Sequence, residues 1–333
     1  MESDAWPIAR PYQKMTTGTS IVISTHSHSV PFLTVEESQP VYPDPEWSLT
    51  TLNYFREVPP LNAAADGPLS EHEQRVQRRM DDSPAVEKVS VQIRNIQGHE
   101  ADYSLETHGF KIGQLECHLQ EWNSDDELRR VYFPEVTELL KRETGAKYVF
   151  QYEWHVRSTT LEDGLKLDSS GAVDIKGPVR RVHIDESPAA AIMEYNHYMQ
   201  PQAEHNKHLR GRPFGVYNVW KPTKTVRRDP LALCDCRSVV NEDLHATKVC
   251  VPNMGEIENI SLRAPKDGRK HHFVYVRGQQ PDQALVFRIF DSRIDGVMDG
   301  KFSHGVAHSS FIDPGTETEA ARESVEVRNF CVF

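Results

Sequence analysis

His183, Asp185 and His308 are the residues of this chain whose types and placement suit the chemistry of a redox metal. The run Arg181-Val182-His183-Ile184-Asp185 reads as a strand, in which residues two apart point to one face, so an imidazole and a carboxylate would stand side by side. A second histidine completes the set. Two His and one carboxylate on one face of a ferrous ion leave three positions open, enough for an organic chelate and dioxygen. With 16 His and 49 acidic residues, chance alone gives about two His-x-acid pairs, and His183 is the only His with an acid at that spacing. By itself the pair is a weak signal, because a surface strand can carry both residues on its polar face.

Near the C-terminus, Arg322-Glu323-Ser324-Val325-Glu326-Val327-Arg328-Asn329-Phe330 alternates as a strand does, which puts Arg322, Ser324, Glu326 and Arg328 on one face. A guanidinium there can grip the far carboxylate of 2-oxoglutarate in a charge-assisted pair, with the Ser324 hydroxyl donating beside it. Arg328 is the alternative anchor. The same spacing equally fits the solvated face of an edge strand.

Further blocks lie between these residues. Phe214-Gly215-Val216-Tyr217-Asn218-Val219-Trp220-Lys221-Pro222 is followed by Asp229-Pro230-Leu231-Ala232-Leu233-Cys234-Asp235, by His271-His272-Phe273-Val274-Tyr275-Val276 and by Pro281-Asp282-Gln283-Ala284-Leu285-Val286-Phe287-Arg288-Ile289-Phe290-Asp291. His308-Ser309-Ser310-Phe311-Ile312-Asp313-Pro314 closes the series. In this order, with His183/Asp185 and Arg322-x-Ser324, the blocks resemble the fungal asaB-type and gibberellin-desaturase-like hydroxylases and desaturases, which are iron(II)/2-oxoglutarate-dependent dioxygenases. The resemblance runs from about residue 88 to residue 333. Two positions depart from it: Lys221 stands where Arg is usual, and His272-Phe273 where Arg-Trp is common.

The resemblance implies Fe(II) held by His183, Asp185 and His308, with 2-oxoglutarate as co-substrate on Arg322 and Ser324, and O2 as oxidant. His308 is preferred to His304 as third ligand because it carries the family's Ser-x-Phe block. Asn218 and Trp220 occupy a family block and would line the co-substrate or substrate cavity. The implied reaction oxidises an unactivated C–H bond of a small organic acid, amino acid or terpenoid in fungal secondary metabolism, releasing succinate and CO2. Its outcome would be hydroxylation, desaturation or ring closure, for example to an aziridine. Two other readings remain: a catalytically silent jelly-roll binding protein, and a zinc-dependent hydrolase using the same triad, although such a hydrolase has no need of Arg322 and Ser324.

Composition narrows the class. A net charge of −11 without a Lys/Arg-rich run argues against nucleic acid and against an anionic membrane surface. No apolar run approaches the length of a membrane span, the first residues lack the pattern of a signal peptide, and five cysteines form no disulfide framework, so a cytoplasmic protein is expected, with homodimerisation left open. Cys234-Asp235-Cys236 with His245 and Cys250 does not match the cysteine spacing of structural zinc sites.

The elements that must position these residues are mostly strands: 147–154, 179–185, 214–220, 273–276, 284–290 and 323–333. Many short strands with long connections predict a mainly β, α+β fold with flanking helices, built on a double-stranded β-helix (jelly-roll, cupin-like) core. Residues 1–87, rich in Pro, Ser and Thr, read as an arm wrapping this core, with a short helix opening at the capping box Ser70-Glu71-His72-Glu73; residues 88–333 form the catalytic domain. Ser124-Asp125-Asp126-Glu127 opens a helical stripe through Leu140 that Pro134 should split, and Ser187-Pro188 opens a helix directly after the metal strand.

Overall fold

The structure, a computed structural model, describes residues 46–57, 85–119, 121–160, 177–199, 207–209, 211–251, 255–294 and 305–333. The helix expected from Ser70, the histidines His26 and His28, and His304 lie outside the described residues.

Two sheets form the body. One has eight strands in the spatial order β1 (Trp47–Phe55), β2 (Val86–Asn95), β10 (Phe273–Tyr275), β7 (Leu231–Cys234), β12 (His308–Ser310), β5 (His183–Ile184), β9 (Gly255–Leu262) and β8 (Leu244–Val251). The other has five: β3 (Phe110–Gln114), β11 (Gln283–Asp291), β6 (Phe214–Pro222), β13 (Ser324–Val332) and β4 (Tyr148–Arg157). The pairing is nearly all antiparallel, and the two sheets enclose one core as a double-stranded β-helix. Ile93, Val182, Ile184 and Phe273 of the first sheet's side meet Val216, Phe290 and Phe330 of the second. The strand expected over 179–185 is reduced to His183–Ile184, while Trp47–Phe55, within the expected arm, pairs along its whole length with Val86–Asn95.

Strand β13 is central rather than at an edge. It pairs with β6 on one side and β4 on the other, and eight of its nine residues are buried. Period two then divides its side chains cleanly. Val325 and Val327 face outward, where α1 (Phe133–Thr144) lays Val136, Leu139 and Leu140 against them and against Val219 and Val286. Ser324, Glu326 and Arg328 face inward, level with Pro222, Trp220 and Asn218 on β6 and with Arg157, His155 and Glu153 on β4. A polar ladder therefore crosses the barrel interior, opposite the strands that carry the histidines.

The helices end where local chemistry predicts. Ser124 Oγ accepts from Glu127 N at 3.3 Å, and Gly145 closes α1 at φ 74°, a left-handed conformation that costs glycine little. Pro134 does not cut the helix into separate rods: a π-helical turn over Leu128–Tyr132 leads into α1, and the proline occupies its first turn, where a backbone N–H is dispensable. Ser187 Oγ accepts from Ala190 N at 3.1 Å and opens α2 (Pro188–Met199). Among the described residues no helix is long and apolar enough to cross a membrane. Truncating Leu140, which is wholly buried, is expected to cost about 3 kcal/mol in Leu140→Ala, read as a lower urea midpoint at unchanged slope.

Candidate metal centre and co-substrate anchor

Register brings the triad together. His308 on β12 lies directly across from His183 on β5, and Asp185 follows the end of that short strand. His183 Nε2 is 3.4 Å and His308 Nε2 3.6 Å from the same oxygen, Asp185 Oδ1. The three ligand atoms fall within 4.8 Å of one another, the only group among the described residues able to hold a metal. Each ring is oriented from behind: Nδ1 of His183 is 2.7 Å from the Arg181 carbonyl and Nδ1 of His308 is 3.2 Å from the Val306 carbonyl. With Nδ1–H donated to a carbonyl, each Nε2 keeps its lone pair for a metal, the tautomer that coordination requires.

Burial sets the charges. Removal from water pushes His308 down to about 4, so its imidazole is neutral at physiological pH and able to ligate. Burial alone would raise the Asp185 carboxyl, but the Arg328 guanidinium holds it well below the usual carboxylate range. The donor set is two imidazoles and one carboxylate, which fits Fe(II).

The candidate anchor lies on the other sheet. Arg322 precedes β13, is 5 % exposed, and donates Nη1 to the Asp229 carbonyl at 2.7 Å. Asp229 adopts φ 51°, which for a residue with a side chain is unusual and here directs its carbonyl to both Arg322 and Ser310. The guanidinium lies 5.1 Å from the centre of the Trp220 ring. Among the described residues, Arg322 Nε and Ser324 Oγ are two buried polar atoms there without a partner. Unpaired buried donors are costly, and a carboxylate between them would satisfy both. Burial, reinforced by Arg157, pushes Arg322 down to about 10, still charged at neutral pH.

Comparison with known proteins gives the family. A family model described as an oxidoreductase/YMDC permease-like domain covers residues 52–332. The alpha-ketoglutarate-dependent dioxygenase phiK of Fungal sp. is 37% identical over 70% of this chain and 80% of its own length. The hydroxylase/desaturase efuI of Hormonema carpetanum is 32% identical over 84% of this chain and 92% of its own. The chain belongs to this fungal 2-oxoglutarate-dependent dioxygenase and hydroxylase/desaturase family. More distantly, the gibberellin cluster GA4 desaturase of Gibberella fujikuroi is 25% identical over 72% of this chain and 85% of its own. Among solved structures, the iron and alpha-ketoglutarate-dependent endoperoxidase NvfI shares the fold, with a TM-score of 0.65 at 20% identity over 88% of this chain and 99% of that one.

In this dioxygenase, Arg328 is not beside Arg322. Its guanidinium donates to Asp185 Oδ1 at 3.0 Å and to Glu153 Oε2 at 2.5 Å, with Glu186 and Glu326 within 3.9 Å. Asn218 Nδ2 donates to Asp185 Oδ2 at 3.2 Å and to Glu326 Oε1 at 3.1 Å. Both residues therefore fix the orientation of the ligand carboxylate, while Trp220 lies under the Arg322 guanidinium. Cys234 and Cys236 are buried free thiols, next to Ser238 and Arg288 respectively.

The residues missed in the sequence are the acids around Arg328, above all Glu153, Glu186 and Glu194. Glu153 shares a face with His155 and Arg157 by period two, a signal that becomes visible only when the strand is carried past residue 154 to Arg157. Replacing Arg328 with methionine would leave these acids without their shared cation. Arg328→Met is expected to weaken Fe(II) binding about 10–100-fold and to destabilise the fold by about 3–5 kcal/mol, measured by metal titration and urea unfolding.

Glu194 and Glu186 illustrate the opposite shift. Burial pushes the Glu194 carboxyl up to about 7, with Glu153 adding to it, and burial next to Glu194 holds Glu186 well above its usual value while the Tyr152 hydroxyl donates to it. Between pH 4.5 and about 7 the folded state therefore binds more protons at Glu194 than the unfolded chain, so this carboxyl lowers stability as pH rises. Glu194→Gln should remove that dependence. Its stability relative to wild type is expected to rise through this window by about 1–3 kcal/mol, read from urea midpoints of metal-free protein; an unchanged difference would contradict the assignment.

Proposed function

We propose that this dioxygenase oxidises an unactivated C–H bond of a small-molecule substrate, by hydroxylation or desaturation, with Fe(II) on His183, Asp185 and His308 and with 2-oxoglutarate on Arg322 and Ser324. The observation that carries it is the pairing of a preoriented triad with two orphaned buried donors inside one barrel. Bound there, Fe(II), 2-oxoglutarate and O2 supply the oxidising power, with release of succinate and CO2.

The chain's own residues do the rest. His183 and His308 turn their Nε2 atoms to the metal position because backbone carbonyls hold their Nδ1 atoms. Arg328 and Asn218 hold the Asp185 carboxylate against rotation, so the position it offers the metal is set before binding. Arg322 and Ser324 would fix one end of the co-substrate, and the Phe287 ring, wholly buried and 4.8 Å from that of His308, keeps water from the His308 imidazole. The choice between alcohol and alkene then depends on which substrate hydrogens are held near the iron, where shifts of about 1 Å matter. That the relatives' names include both hydroxylase/desaturase and GA4 desaturase supports this pair of outcomes.

Anaerobic addition of Fe(II) and then 2-oxoglutarate to metal-free protein tests the reading. A weak visible charge-transfer band that requires both components is expected, followed by succinate formation once O2 is admitted. Folded protein that binds Fe(II) and gives neither would overturn it.

A further inference from the structure

Strand β4 turns Glu153, His155 and Arg157 toward the barrel interior, whereas Trp154 and Val156 pack on its outer face. It is the edge strand of its sheet, so this row can be reached from solvent. His155 is level with Glu326, and the Asn218 amide bridges Glu326 to the ligand Asp185. The His155 side chain is 34 % exposed, against 10 % for Glu326 and 1 % for Asp185. A molecule approaching the triad along this row therefore meets His155 before the buried groups behind it.

The hydrogen bonding of His155 is half used. Its Nε2 lies 3.1 Å from Glu153 Oε1. The Arg328 guanidinium pulls the Glu153 carboxyl down to about 2, so this oxygen accepts and Nε2 holds the ring proton. Nδ1 is left with a lone pair. Among the described residues it has no partner, and it is not one of the buried atoms. An acceptor whose ring is fixed by a carboxylate and whose lone pair is open suits a donor brought by a ligand.

Charge decides which donor. Glu153 is paired with Arg328, and Glu326 lies 3.5 Å from Arg157, so each acid of the row has its own cation. A carboxylate entering here would meet Glu153 and Glu326, and an ammonium would meet Arg328 and Arg157. A neutral hydroxyl meets neither repulsion.

We propose that His155 determines substrate specificity, its Nδ1 accepting a hydrogen bond from a hydroxyl of a neutral organic substrate and so setting which carbon lies near the metal. The assignment rests on the iron and 2-oxoglutarate reading above, which places the substrate beside His183, Asp185 and His308.

Cyclohexanol and cyclohexanone are the probes, nearly equal in size, of which only the alcohol donates. Binding to the full-length protein is read by ligand-observed NMR with and without Fe(II) and 2-oxoglutarate, at about pH 8, where free imidazole is neutral. Saturable binding of the alcohol is expected, about two- to tenfold tighter than that of the ketone. His155→Phe should abolish this preference, and His155→Gln, which keeps an acceptor, should retain it. No saturable binding of the alcohol, equal binding of the pair, or a preference that survives His155→Phe overturns the proposal. A second measurement needs no variant: nitrogen NMR of histidine-labelled protein should show His155 protonated at Nε2 and bare at Nδ1, and the opposite tautomer also overturns it. Because no turnover is needed, the two assignments fail separately. A missing charge-transfer band with the alcohol preference intact would sink the reaction, and a band without the preference would sink the subsite alone.

Discussion

Asp185→Ala is expected to abolish turnover and to weaken Fe(II) binding by well over about 100-fold, beyond the effect of losing an outer partner of a ligand. Asp185 Oδ1 lies within 3.6 Å of both histidine Nε2 atoms, so without it the two imidazoles offer an incomplete set. The fold should survive, because Arg328 keeps Glu153 at 2.5 Å and has Glu326 at 3.7 Å. Asp185→Asn separates charge from shape: it retains the volume but weakens the bond from Arg328, and should also fail to hold iron. Calorimetric titration of Fe(II) or Co(II) under argon, with circular dichroism to confirm folding, measures both. Wild-type affinity in a folded Asp185→Ala protein would rule out this centre.

Arg322→Leu should raise the KM for 2-oxoglutarate by about 100-fold while leaving kcat within a few-fold, since an interaction made equally in ground and transition states changes KM alone. The size follows from a charge-assisted bond in a buried site, about 1.5–3 kcal/mol. Ser324→Ala removes one neutral donor and should cost about fivefold. Neither change should unfold the protein: Arg322 gives up one bond to the Asp229 carbonyl, but a buried guanidinium with an unpartnered Nε is lost with it. Stopped-flow titration of the charge-transfer band reads co-substrate affinity directly. If Arg322→Leu binds 2-oxoglutarate as wild type does, the anchor lies elsewhere.

How far the chain could be read without its fold depended on the range of each signal. Period two placed Ser324, Glu326 and Arg328 on one face, and they share that face on β13. Capping chemistry located both helix starts, because a side-chain oxygen and an N–H three residues on are neighbours in any fold. The strand around His183 was overestimated: residues 179–182 carry strand-like side chains, but the ladder there shrinks to two residues where β5 is wedged between β12 and β9.

The division between Arg322 and Arg328 is where local reading stops. Both stand on one predicted face, six residues apart, and nothing within the strand tells which one meets an anion from solution and which is already paired. The fold pairs one of them by register. β4 brings Glu153 level with Arg328, and the turn after β5 delivers Asp185 to the same guanidinium, whereas Arg322 finds a backbone carbonyl and, among the described residues, no carboxylate within salt-bridge distance. Sequence alone determined the donor types, the alternation and the caps, since these depend on covalent structure and neighbours along the chain. Only the tertiary structure could assign the charges to partners, because pairing energy depends on distance and desolvation across strands more than 100 residues apart in the chain.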